Sequence, residues 1–323
     1  MWEGRGIQNA LQAQRDKMGA MAKHRRTAFR NWVEYLGVVG MVATLRFTPR
    51  WMSERLGRGY AGLLDRLSPR LRRTALRNLE LALPELGAEE RQRIADGVFR
   101  SVARLLVGAS RLPSVNQRNV REWIEYDGFE HFQEAKRRGR GVLIASGHLG
   151  NWELSGVGHA LLCGETMSVV VRPLDNPLID RLVQDRREIA GNRMIGKKDF
   201  IRSMLEVLKS NGVVGIFVDQ NSHFDQGLFV NFFGVPARCG TAFAKVAKHT
   251  GATVIPGFAV WIEAERRYRL KFYPPLELTG DVTEDTQLVQ SAVERAVREY
   301  PDQWLWLHRR WKARPPGAPA LYD

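Results

Sequence analysis

An α/β fold is predicted, with a mixed, mostly parallel sheet flanked by helices and a helical region ahead of it. Three observations predict it. Up to about residue 120 the apolar residues keep helical spacing. After that point short apolar runs alternate with helical stretches. The last two runs, close together and alternating apolar with polar, read as an antiparallel pair at one side. At 323 residues, 44% hydrophobic and 26% charged, the chain suffices for one α/β unit with extensions, and its composition excludes wholesale disorder.

Residues 1–30 are polar and basic, ending in KHRRTAFR, and are expected to be disordered. Residues 31–52 follow as NWVEYLGVVGMVATLRFTPRWM. The uncharged run from Tyr35 to Leu45, at about 1.5 Å per residue, is too short to cross a hydrocarbon core of roughly 30 Å. With Trp32 and Trp51 at its ends and basic flanks, the segment reads as an interfacial or marginal membrane-anchor helix. A helix buried on the main domain is the alternative. No small-residue cleavage site follows, so no cleaved signal peptide is read.

Residues 53–120 form a helical region packed on the core. Ser68-Pro69 marks one helix start, and Gly87 with Glu89 and Glu90 another. Leu71, Ala75, Leu79 and Leu83 supply a buried face. Residues 121–312 form the main domain. Strands are predicted at VLIA (142–145), SVVV (168–171), VVGIFV (213–218), TVIPGFAVW (253–261) and YRLKFYPPLEL (268–278). Helices are predicted near 151–163, 175–190, 199–210, 240–250 and 284–300, and residues 313–323 are expected to be a flexible tail.

The net charge of +14 favours polyanionic partners: nucleic acid, anionic lipid headgroups or an acidic protein. Basic residues gather in SPRLRRTALR (Arg70, Arg72, Arg73, Arg77) and in HRRWKAR (Arg309, Arg310, Lys312, Arg314), the latter interleaved with Trp304, Trp306 and Trp311. Tryptophan beside arginine suits a headgroup boundary. No RNP-like, helix-turn-helix or zinc-finger signature accompanies them, and no nucleic-acid partner is expected. Cys163 and Cys239 have neither disulfide density nor metal-ligand spacing and read as small buried hydrophobes.

The chemistry concentrates in GVLIASGHLGNWELSG (141–156). A strand runs into a glycine-bearing turn carrying His148, and Glu153 follows in the first turn of a helix. On one continuous helix the two would lie about 140° apart; with His148 on the turn they can meet. Such a pair serves general base catalysis: the carboxylate fixes the imidazole tautomer, and the other ring nitrogen takes a hydroxyl proton. Free amides on the turn would stabilise a developing oxyanion. A buried structural His–Glu pair is the alternative. A zinc site lacks HExxH or a third ligand, and a hydrolase elbow lacks GxSxG around Ser146 or Ser155. Asp219 and Gln220 follow the VVGIFV strand, where open α/β sheets place ligand-binding residues, although an Asp there equally caps helices. GLFVNFFGVPA is apolar enough for Phe229, Phe232 and Phe233 to line an acyl channel or to be ordinary core.

SGHLGNWE resembles the His-x4-Asp/Glu motif of the bacterial lipid A late acyltransferases, within the wider lysophospholipid acyltransferase group. RRTALRNLELALPEL, RPLDNPLID, GIFVDQN, FFGVPA and GATVIP resemble that family's further blocks in order, from about residue 30 to 312. The resemblance implies a glycerolipid acyltransferase-like fold. It also implies transfer of a fatty acyl chain from acyl carrier protein or acyl-CoA to a hydroxyl of a glycolipid, a lipid A precursor, with no metal or organic cofactor. It implies that His148 is the base and Glu153 its orienting partner, with Arg172, Asp219, Gln220, Gly147 and Asn151 at the substrates. The implied location is the cytoplasmic face of the bacterial inner membrane, on an anionic lipid surface. The chain departs from the family between DQN and FFGVPA, so His223 and Asp225 are not carried over. Other acceptors within the group, such as a mannosylated phosphoinositide or a lysophospholipid, share the same site.

Overall fold

The computed structural model describes residues 27–196, 200–222 and 227–322. The expected disorder of the N-terminus therefore falls, up to residue 26, outside the described residues. Four helices come first: α1 (Ala28–Phe47), α2 (Arg50–Leu67), α3 (Pro69–Ala82) and α4 (Ala88–Arg111). Thr27 caps α1 by accepting the Arg30 amide, and Pro49 starts the next helix after the break. Segment 31–52 thus straddles two helices. The carbonyls left free at the end of α1 are taken up by Arg111, which donates to Leu45 and Thr48, and by the Ser53 hydroxyl, 2.7 Å from the Leu45 oxygen. Helix α4, contacting α1, α2 and α3, is the spine of this region.

On α1, Phe29, Trp32, Val33 and Leu36 recur at three- and four-residue steps and are all exposed; Phe47, Trp51, Leu63 and Leu67 add to the same kind of surface. Among the described residues no helix is long and apolar enough to cross a membrane.

The main domain is built of β1 (Ile124–Asp127), α5 (Phe129–Arg137), β2 (Val142–Ser146), α6 (Trp152–Cys163), β3 (Met167–Val170), α7 (Pro177–Arg187), β4 (Arg193–Ile195), α8 (Phe200–Lys209), β5 (Val213–Phe217), β6 (Leu228–Phe232), β7 (Val235–Cys239), α9 (Ala242–Thr250), β8 (Thr253–Ile262), β9 (Arg267–Phe272) and α10 (Val282–Glu299). Seven strands form a sheet in the order β1-β9-β8-β2-β5-β3-β4. The β8–β9 pair is antiparallel, as its alternation predicts; the other neighbours are parallel.

Both faces of the sheet are covered, and β2 shows why its sequence is continuously apolar. Val142 and Ile144 pack towards Phe132 of α5 and Leu154 and Val157 of α6. Leu143 and Ala145 pack towards Met204 and Leu208 of α8 and Phe243 and Val246 of α9. A third cluster joins α3, α4 and α10 to the C-terminal tryptophans. In it Phe232 and Phe233 are buried, because β6 and β7 form a separate hairpin that turns them inward. They are core, not channel lining.

The C-terminal segment corrects two expectations. Trp304, Trp306, Trp311 and Arg310 are at most 2% exposed, so they meet no headgroup. Residues 313–322 are anchored rather than free: Tyr322 donates to Asn78 at 2.5 Å and accepts the Trp311 amide, and the Ala313 amide donates to Asn221. Arg72 is neutralised between Asp65 and Asp96. Cys239 is buried as expected, whereas Cys163 is exposed.

Candidate active site

The register of two parallel strands creates the site. Ser146, the last residue of β2, pairs with Phe217, the last of β5. His148 and Asp219 each lie two residues beyond their strand, so the crossing of chains at the carboxyl edge of the sheet brings them face to face. His148 Nδ1 lies 2.9 Å from Asp219 Oδ1, and the His148 amide donates to Oδ2 at 2.6 Å. The indole of Trp304 donates to the same Oδ2 at 2.8 Å.

Two glycines make the turn possible. A Cβ on Gly147 would sit 3.1 Å from the Asp219 carboxyl carbon and oxygen, so a side chain there would push the carboxylate away. Gly150 has φ +66°, and a Cβ would lie 2.0 Å from the Ala259 carbonyl oxygen; only glycine fits.

Asp219 is 1% exposed. Burial alone would raise its pKa, but the charge of His148, its two hydrogen bonds and that of Trp304 outweigh burial and bring the carboxyl down to about 2. A carboxylate only accepts, so Nδ1 of His148 carries a proton, and in the neutral imidazole Nε2 is the nitrogen with the lone pair. The imidazole is 19% exposed, wedged between Trp152 and Phe217, with the Gln220 amide 3.3 and 3.4 Å from its two nitrogens. A fixed, partly exposed imidazole with a buried carboxylate behind it can accept a proton from a bound hydroxyl.

The partner of His148 is therefore Asp219 and not Glu153. The turn directs the imidazole to the end of β5, whereas α6 directs Glu153 towards the end of α7. There Arg187 holds it through two hydrogen bonds, at 2.7 and 2.6 Å, and Trp152 donates to it at 3.1 Å. Burial works against the Arg187 charge, but the bonds and charge of Glu153 prevail and push its pKa up. This pair borders a cavity of about 50 Å³ between α6 and the sheet, whose other walls include Ile144, Gly156, Met167, Val169 and Phe217.

The remaining expected site residues fall on both sides. Asn151 is fully buried and caps α6 by accepting the Leu154 amide at 3.1 Å, so its side chain does not reach a substrate. Arg172 lies exposed just past β3, on the same edge of the sheet, with no carboxylate partner among the described residues. Phe229 lines a different, open pocket with Asn231, Glu277 and Gln287. The turn offers fewer free amides than expected. Those of His148, Gly150 and Asn151 are bonded to Asp219, Gln303 and Ala259. Sequence reasoning missed Arg187 and the contact of Trp304. No local spacing points to either, since each partner lies tens of residues away. Among the described residues no cluster of His, Cys, Asp and Glu could hold a metal.

The fold and this site are those of an α/β enzyme with a His–Asp base, and the comparisons with known proteins make its class an acyltransferase. The family model of bacterial lipid A biosynthesis acyltransferases matches residues 20–313. The lipid A biosynthesis lauroyltransferase of Escherichia coli K12 is 30% identical over 91% of this chain and 95% of its own length. The myristoyltransferase of the same organism is 26% identical over 89% of both. The phosphatidylinositol mannoside acyltransferase of Mycobacterium tuberculosis H37Rv is 30% identical over 63% of this chain and 65% of its own length. The chain belongs to the bacterial lipid A biosynthesis acyltransferase family.

Proposed function

We propose that the protein moves a fatty acyl chain from the thioester of acyl carrier protein or acyl-CoA to a hydroxyl of a lipid A precursor. Nε2 of His148 takes the hydroxyl proton, and the oxygen attacks the thioester carbonyl. The carbon–sulfur bond breaks, and the departing sulfur receives the proton back from His148. Asp219 holds the imidazole and stabilises its charged form. Gln220, beside the ring, takes the donor carbonyl oxygen, and Arg172 the acceptor phosphate. The acyl tail enters the cavity between α6 and the sheet, which at about 50 Å³ must widen, and Met167 and Met194 are flexible enough to give way.

The single observation that carries this reading is the His148–Asp219 contact at the carboxyl edge of the sheet. The exposed apolar stripe of α1 and the neighbouring Trp51 support peripheral attachment to an anionic membrane, the cytoplasmic face of a bacterial inner membrane. The likeness to a phosphatidylinositol mannoside acyltransferase makes a mannosylated phosphoinositide the second acceptor to try.

The test is transfer from labelled acyl carrier protein to a tetra-acylated lipid A precursor in detergent, with wild type and His148→Ala. Transfer that falls by about 10²-fold or more in the variant supports reaction and base together. Transfer only to another lipid keeps the base and replaces the acceptor. A folded His148→Ala protein with wild-type activity refutes the mechanism.

A further inference from the structure

We propose that the C-terminal segment Gln303–Ala313 is the clamp that sets the geometry of the His148–Asp219 pair, with Trp304 as its principal positioning residue. This rests on the catalytic reading above.

The segment grips both halves of the site. On the His148 turn, the Leu305 amide donates to the His148 carbonyl at 2.9 Å, and the Gly150 amide donates to the Gln303 carbonyl at 3.0 Å. On the other half, Trp304 holds Asp219 Oδ2, and the Asn221 amide donates to Nε2 of His308 at 3.1 Å. Arg310, fully buried, reaches the same stretch indirectly. It donates to Gln290 Oε1 at 3.1 Å, and Gln290 Nε2 donates to the Val218 carbonyl at 2.8 Å. Arg310 has no carboxylate partner among the described residues; its other bonds go to the Arg238 carbonyl and the Cys239 sulfur, and its Nε has none. A buried cation without a counter-ion is costly, and Gln290 ties it to the residue before Asp219. Residues 148–150 and 218–221 are thus referenced to one segment, which fixes their separation better than two strand ends alone.

The Trp304 bond also fixes the plane of the carboxylate: with Oδ2 held by the indole and by the His148 amide, Oδ1 is left to face Nδ1.

The experiment compares Trp304→Phe with wild type in the acyl-transfer assay, with thermal unfolding as the control for folding. The expected result is a kcat lower by about tenfold or more with an unchanged KM. Gln290→Glu is the second variant. It gives Arg310 a carboxylate and removes the donor to Val218, so kcat should fall without loss of thermal stability. A wild-type kcat in Trp304→Phe overturns the clamp, as does a fall in activity that only tracks stability in both variants. Loss of activity in His148→Ala with no effect of Trp304→Phe would leave the catalytic reading standing and remove this one.

Discussion

The two ends of the chain are written in the same residues and meet opposite fates. Near the start, Trp32 and Trp51 stand beside Arg30, Arg46 and Arg50 and are more than half exposed. Near the end, Trp304, Trp306 and Trp311 stand beside Arg309 and Arg310, and the three indoles and Arg310 are buried. Composition alone gives both segments the same reading, a headgroup boundary. What separates them is a packed core that most of the C-terminal polar atoms enter with a partner, although the Trp311 indole nitrogen is buried without one. The Trp304 and Trp306 N–H groups reach Asp219 and the Pro301 carbonyl, and Arg310 reaches a carbonyl, a thiol and an amide. The N-terminal stripe of Phe29, Trp32, Val33 and Leu36 faces away from the core. A buried amphipathic aromatic usually finds an acceptor for its polar tip, as Trp304 and Trp306 do, and Trp311 shows that core packing can bury one without it.

The largest effect that tests this contrast is on stability. Trp306→Ala, emptying a fully buried site in the core between α3, α4 and α10, should cost about 3–5 kcal/mol in chemical denaturation. A loss below about 1 kcal/mol would mean that the C-terminal segment is not core. The two histidines on either side of α6's first turns give a second, pH-dependent contrast. His159 is fully buried, with the Tyr126 hydroxyl at 2.9 Å, the Cys163 sulfur and the rings of Phe132 and Phe272 beside it; burial, then the charge of Lys136, lowers its pKa to about 3. Below about 6.5 the unfolded chain binds a proton there that the folded chain refuses until about 3, so stability should drop progressively over that window. His159→Gln should flatten the part of the stability–pH curve between pH 6.5 and 3; an unaltered curve would contradict the assignment. The smallest effect on folding belongs to the other end. Trp32→Ser with Trp51→Ser should change stability by no more than about 0.5 kcal/mol, while weakening sedimentation with vesicles containing anionic phospholipid severalfold. Equal vesicle binding would show that this surface is not the membrane face.

Much of the fold is legible in the sequence. VLIA, SVVV, VVGIFV and TVIPGFAVW correspond to β2, β3, β5 and β8 with ends shifted by a residue or so. The strands that escape notice are those whose apolar content is thin or whose context misleads. β1 reads IEYD, with acids at two of its four positions, and β4 is three residues long. The β6–β7 hairpin hides in a stretch whose glycines, proline and phenylalanines suggest a lined channel. At the site, His148 and Gly147 are singled out by the motif, and Asp219 and Gln220 by their place at a strand end together with the family resemblance. The pairing is not, because sequence spacing joins His148 to Glu153 and only the β2–β5 register brings Asp219 opposite. Glu153 keeps its place in the motif but spends its charge on Arg187.

The most direct test of the His148–Asp219 pair is kcat/KM for Asp219→Asn and Glu153→Gln, each made in wild type and in His148→Ala. Asp219→Asn should lower kcat/KM by about 10²-fold or more in wild type and cost little further in His148→Ala, because the two residues act as one unit; Glu153→Gln should cost the same in both backgrounds. Coupling of His148 to Glu153 and none to Asp219 would mean that the imidazole belongs to the other carboxylate.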